Sequence, residues 1–185
     1  MIPWKTLARK VIHHQPPWLI VEEHTVQLPD GRLIPDWPWI ITPDYVNVVA
    51  ETEEGSFLCF HQTKYGLEGV TLAIVGGFLE PQENPLAAAQ RELREETGYE
   101  AQEWIDLGHY RVDPNRGVAQ GYLFLARSAR RVAEPVQDDL EEQVLVKLSR
   151  TELETALDRG EFKVLAWAAA VGFALRRLAS SAAGK

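Results

Sequence analysis

The stretch Gly77-Phe78-Leu79-Glu80-Pro81-Gln82-Glu83-Asn84-Pro85-Leu86-Ala87-Ala88-Ala89-Gln90-Arg91-Glu92-Leu93-Arg94-Glu95-Glu96-Thr97-Gly98-Tyr99 decides the reading of this 185-residue chain. Its Ala-, Leu- and Glu-rich part, Asn84 to Thr97, predicts a helix opened by Pro85 and closed by Gly98. On that helix Glu92 and Glu96 stand at i and i+4, and Glu92 and Glu95 at i and i+3, so the three share a face. Like charges at such spacing repel by about 0.2–0.5 kcal/mol per pair. A cation would relieve the repulsion, and hard oxygen ligands suit Mg²⁺ or Mn²⁺. The plainer alternative is a solvated acidic face. Against it stand the Gly76-Gly77 pair, the small Ala87–Ala89 run that permits close packing, and Arg91, a rigid fork able to orient carboxylates.

Outward from this segment the chain alternates strand and helix signals. Strands are expected at Tyr45–Ala50, Phe57–Phe60, Val70–Val75, Gly121–Ala126 and Gln143–Leu148, and helices at Thr151–Leu157 and Glu161–Ala179. This order suggests an α+β or layered α/β/α architecture. Residues 1–45 differ: they hold four of the six tryptophans (Trp4, Trp18, Trp37, Trp39) and seven of the eleven prolines. Short strands at Leu19–Val21, Thr25–Leu28 and Arg32–Ile34 flank a Pro29-Asp30-Gly31 turn, so an antiparallel hairpin is expected. Such a unit is too small to bury its aromatics alone and should pack on its own domain or on a second copy.

Composition narrows the function classes. There are 27 acidic against 19 basic residues, a net charge of −8, which argues against a nucleic-acid binder or an anionic-membrane binder. The single cysteine, Cys59, cannot pair within the chain, so a disulfide scaffold is excluded and a reducing, cytoplasmic setting is expected. Val164 to Leu175, the longest apolar run, is shorter than the roughly 18–20 residues that span a bilayer. The first ten residues carry no apolar signal-peptide core. The five histidines show no ligand spacing and are read as non-catalytic, and Cys59 as a small buried hydrophobe.

The quoted segment matches the Nudix box, Gly-x5-Glu-x7-Arg-Glu-U-x-Glu-Glu-x-Gly-U, at Gly77, Glu83, Arg91, Glu92, Leu93, Glu95, Glu96 and Gly98, with Tyr99 in the final aliphatic slot. The chain therefore resembles the Nudix hydrolases. The resemblance implies an α/β/α sandwich with a mixed sheet, here with an N-terminal β-hairpin extension. It further implies hydrolysis of a nucleoside diphosphate linked to another group, with two or three Mg²⁺ or Mn²⁺ ions per site. Residue by residue, it places Glu92, Glu95 and Glu96 among the metal ligands, with Glu83 assisting, the Gly76 carbonyl as a further ligand and Arg91 orienting the carboxylates.

A looser similarity, over roughly residues 4–175, is to the ADP-ribose and ADP-sugar pyrophosphatase branch. It rests on the Trp-rich N-terminal region, Asp44-Tyr45-Val46, Gln62-Thr63-Lys64, Pro114 sixteen residues past Gly98, and Asp138-Asp139-Leu140-Glu141-Glu142 before a strand. Departures are Lys64 where the branch has Arg, and Asp113-Pro114-Asn115-Arg116-Gly117 where Ser-Pro-Gly is usual. The likeness implies that ADP-ribose or an ADP-sugar is split into AMP and a sugar phosphate. A metal-bound carboxylate is a poor proton acceptor, so Glu142 is ranked first as general base, then Glu141, with Glu95 as the fallback. Trp37, Trp39, Lys64, Pro114 and Arg116 are the expected substrate contacts. Other readings are a different nucleotide sugar, such as GDP-mannose, or a non-catalytic nucleotide-binding module. The expected organisation is an extension over 1–44 that dimerises and completes the substrate pocket, a Nudix domain over 45–179, and a flexible tail over 180–185.

Overall fold

The computed structural model describes residues 1–136 and 142–183. The chain divides into two compact units, Met1–Asp44 with Tyr110–Gly121, and Tyr45–His109 with Tyr122–Lys185.

In the first unit three antiparallel strands, β1 (Lys5–Gln15), β2 (Leu19–Gln27) and β3 (Leu33–Ile41), form a sheet in the order β1-β2-β3. The expected turn closes β2 onto β3: Gly31 N–H donates to Leu28 O at 3.0 Å, with Gly31 at φ +87°. The expected hairpin is β2–β3, and β1 adds a third antiparallel strand to it. β1 escaped notice because all eleven of its residues are exposed, so no alternation of apolar and polar positions marks it. The segment 110–121 joins this unit through Ile40 N–H, which donates to Arg116 O at 2.8 Å, and through Gln120 N–H, which donates to the Asp44 carboxylate at 2.7 Å.

The second unit is built on an eight-stranded sheet. Its path runs β11 (Gln143–Leu148), β5 (Phe57–Gln62), β4 (Tyr45–Thr52), β10 (Val118–Arg131), β8 (Tyr99–Glu100); β6 (Thr71–Ala73), β7 (Val75–Phe78) and β9 (Glu103–Asp113) pair with β5, β4 and β10. Three helices complete it: α1 (Pro85–Thr97), α2 (Arg150–Asp158) and α3 (Leu165–Ala183). The core is continuous across the sheet and helices, with Val46, Val48, Phe57, Leu58, Leu93, Leu125, Leu153 and Val171 at or near zero exposure. Cys59 and Trp167 are buried in it.

Helix α1 begins where Asn84 accepts hydrogen bonds from Leu86 and Ala87 N–H, with Pro85 in its first turn. It ends at Gly98, whose φ of +74° lets its N–H reach Arg94 O. The small Ala88 and Ala89, with Leu93 and Thr97, form its buried face. Helix α2 opens with a capping box between Ser149 and Glu152. The last helix starts at Leu165, not at the expected Glu161. Glu161 O instead accepts from Leu72 N–H and from the Thr71 hydroxyl, and that hydroxyl accepts from Lys163 N–H. Bonding to β6 keeps this stretch extended. Residues 180–183, expected in a tail, continue α3. No described helix is long and apolar enough to cross a membrane.

Candidate active site

Arg91 organises the partly buried carboxylate face of α1. Its Nε and Nη2 donate to the two oxygens of Glu83 at 2.9 and 3.0 Å, its Nη1 donates to Glu92 at 2.8 Å and to Glu95 at 3.0 Å, and Nη2 also reaches Phe78 O at 3.2 Å. Three carboxylates and a carbonyl thus share one planar cation, a geometry that a lysine ammonium could not reproduce. The hydrogen bonds from Arg91 hold the Glu83 carboxyl below the usual carboxylate range, and Glu83, then Glu95 and Glu92, push the guanidinium further from deprotonation. Glu96, on the same helix face, accepts from Gly76 N–H at 3.1 Å.

The glycine pair ahead of the helix is demanded by contact. A Cβ on Gly77 would lie 2.2–2.5 Å from the Glu92 carboxylate, and one on Gly76 would lie 2.6 Å from Val46 O. Gly76 is the register partner of Asn47 on β4, a 4%-exposed side chain whose Oδ1 has no hydrogen-bond partner. The carboxylates of Glu83, Glu92, Glu95 and Glu96 are hard oxygen donors, whose chemistry fits Mg²⁺ or Mn²⁺. Among the described residues no three His, Cys, Asp or Glu side chains form a ready-made metal cluster.

The expected substrate residues fall into different places. Trp37, Trp39 and Pro114 meet in the first unit, lining a cavity of about 330 Å³ together with Trp4, His24 and Asn115. Trp37 donates its indole N–H to Asn115 O at 2.7 Å and meets Trp4 edge-on at 5.1 Å. Trp39 is stacked on His24 at 5.1 Å, and a Cβ on Gly117 would strike its ring at 2.2 Å. His24, stacked on Trp39, is buried and bonded to Glu22 at 2.7 Å. Arg116 belongs to the same loop, but its side chain turns back to Asp113 at 2.9 Å. Lys64 lies in the second unit, two residues past β5 and partly buried. Glu142 is exposed immediately before β11, while Glu141 falls outside the described residues. The sequence does not single out Trp4, Asn115 or Asn47 as site residues: Trp4 and Asn115 meet Trp37 only through the fold, and Asn47 meets Gly76 through the pairing of β4 with β7.

Residues 42–168 match the NUDIX domain model, and residues 4–40 match the nucleoside diphosphate sugar hydrolase N-terminal domain model. The chain belongs to the Nudix family. This Nudix hydrolase is 32% identical to an ADP-ribose pyrophosphatase of Bacillus subtilis (strain 168), over 75% of its own length and 72% of that protein's. It is 30% identical to a methanol dehydrogenase activator of Bacillus methanolicus, over 71% of this chain and 70% of that one. The fold matches the crystal structure of an ADP compounds hydrolase with a TM-score of 0.83, covering 98% of this chain and 97% of that chain at 17% identity.

Proposed function

We propose that this Nudix hydrolase cleaves the pyrophosphate bond of a nucleoside diphosphate sugar, ADP-ribose or an ADP-sugar, releasing AMP and a sugar phosphate in the cytoplasm. The observation that supports this most directly is the box carboxylate cluster: Arg91 holds Glu83 of the approach loop and Glu92 and Glu95 of α1, and Gly76 N–H holds Glu96, beside glycines that leave room for them. The relationship to the Bacillus subtilis ADP-ribose pyrophosphatase supports the substrate class.

In this reading Glu92, Glu95, Glu96, the Gly76 carbonyl and Glu83 hold Mg²⁺ or Mn²⁺, two or three ions per site. Divalent ions supply charge neutralisation for the pyrophosphate and lower the pKa of a bound water. Arg91 keeps Glu83, Glu92 and Glu95 oriented, so little reorganisation is needed when substrate arrives. Glu142, or failing it Glu141, takes the proton of the attacking water. Trp37 or Trp39 stacks on the base, worth about 1–3 kcal/mol, and Pro114, Arg116 and Lys64 contact the remainder.

The chain acts as a homodimer joined through its N-terminal sheet. That sheet region leaves Trp4, Leu7, Val11, Ile12 and Trp18 about half exposed, which is costly for a solitary surface. The deciding experiment is a panel of ADP-, GDP- and UDP-sugars, with released monoester read after phosphatase coupling. Turnover of ADP-ribose or an ADP-sugar ahead of the others is expected, and inertness toward the whole panel would refute the proposal.

A further inference from the structure

The second unit contains a cavity of about 750 Å³ on the flank of α1, walled by that helix, by Glu100, Ala101 and Trp104, and by Ala133 to Val136. This volume lies in the ordinary range for small-molecule sites. Arg91 and Glu95 are common to this wall and to the carboxylate network, so the cavity opens directly beside the face read above as the catalytic one.

Every charged side chain of the wall is already paired. Arg91 holds Glu95 at 3.0 Å, Arg94 holds Glu100 at 3.2 Å, and Glu134 is held by Arg131 at 2.5 Å. A cavity whose ion pairs cancel suits neither a phosphate nor a free cation. It offers instead donors and acceptors in adjacent pairs, which match vicinal hydroxyl groups. The rest of its lining includes Ala101, Ala133, Val136 and the half-buried indole of Trp104, whose ring is braced edge-on by Phe124 at 6.3 Å. A sugar ring has this same division, hydroxyls around its rim and a face of positively polarised C–H groups that suits the negative face of an aromatic ring.

We infer that this cavity binds the sugar of the group released with the distal phosphate, with Trp104 as its stacking platform and Gln90, Arg94 and Glu100 reading its hydroxyls. The inference rests on the nucleoside diphosphate sugar reading and names where that reading's second half is recognised. It makes Trp104 a residue that sets specificity for the sugar over a substrate that lacks one.

The test compares ADP-ribose with the methyl ester of ADP, which has the same pyrophosphate and no sugar to place. In Trp104→Ala the ratio of kcat/KM for ADP-ribose to that for methyl-ADP should fall at least tenfold, most of it through KM, with a smaller fall in Gln90→Ala and partial rescue in Trp104→Phe. An unchanged ratio in these variants overturns the assignment. A second measurement works on the wild-type chain, in case Trp104→Ala fails to fold. The Trp104 indole N–H resonance, identified by its loss in Trp104→Phe, should move on addition of ribose 5-phosphate and stay in place with inorganic phosphate. No movement, or the same movement with phosphate, overturns it. A wild-type chain that hydrolyses no nucleotide sugar overturns both this inference and the function on which it rests, whereas a nucleotide sugar hydrolase indifferent to Trp104 overturns this inference alone.

Discussion

Arg91 grips both carboxylate oxygens of Glu83, eight positions upstream, through Nε at 2.9 Å and Nη2 at 3.0 Å. The pair ties the approach loop to the helix and leaves Nη1 free to reach Glu92 and Glu95. Arg91→Lys keeps the charge and loses the fork. It should cost about 1.5–3 kcal/mol in a urea titration and lower kcat roughly 10²-fold through misplaced carboxylates. The bond to Arg91 lowers the Glu83 pKa in the folded state below its ordinary value of 4.5. Its contribution to stability is therefore present above pH 4.5 and lost as pH falls through the lower, folded value. Glu83→Gln should flatten that acid limb of the urea midpoint; an unchanged limb would show that the pair is not coupled to folding.

Mutual repulsion of the box carboxylates links metal to stability. Mg²⁺ at a hundred times its Kd should stabilise the chain by about 2.7 kcal/mol, raising Tm. Glu96→Gln should reduce that gain and cut turnover by orders of magnitude while circular dichroism stays native. Full activity in excess EDTA is the result that would discard the metal site.

General-base assignment rests on Glu142 and Glu141. Each Gln variant can be assayed separately, and the residue that takes the proton should show a loss of about 10²–10⁴-fold in kcat with metal affinity little changed. Near-normal kcat in both would move the role to Glu95.

Assembly is open to sedimentation. A dimer at micromolar concentration is expected, and Trp37→Ala should raise KM for an ADP-sugar roughly 5- to 150-fold, since losing one stacked base costs about 1–3 kcal/mol. A monomer would remove the dimer proposal, and unaltered KM in both Trp37→Ala and Trp39→Ala would remove stacking.

Cys59 provides an internal control on the core. It is 1% exposed on β5, and burial pushes its thiol up to about 12 from a usual 9.0. Because the folded value is the higher one, its contribution is intact below pH 9 and is lost as pH rises toward 12. A thiol reagent at pH 8 should therefore label the native chain no faster than it unfolds, and rapidly in denaturant. Fast labelling of the native chain would contradict the core position.

The helix and the clustering of its charges were legible because every feature needed is local: Asn84 and Gly98 at the ends, Arg91 and the glutamates at fixed spacing between. What the sequence hid is long-range. Strand β1 has no buried face to print a pattern. Glu103–Asp113 reads as mixed polarity, although it is an eleven-residue strand bent at Gly108, where φ is +105°. Asn115 sits 78 positions from the tryptophan that holds its carbonyl. Neither the alternation of residues nor a motif could announce such a pairing.

Gly98 has a consequence beyond ending its helix. Its carbonyl accepts from both Val132 and Ala133 N–H, at 2.8 and 3.1 Å, and a Cβ on it would lie 2.1 Å from Ala133 O. Val136 N–H, three residues on, donates to Glu95 O at 2.8 Å. The box and the segment leaving β10 are therefore stitched together backbone to backbone, with no side chain to exchange. Where a related chain carries a larger residue at this position, the stretch corresponding to 132–136 should have changed its path as well, so the two regions are bound to evolve as one unit.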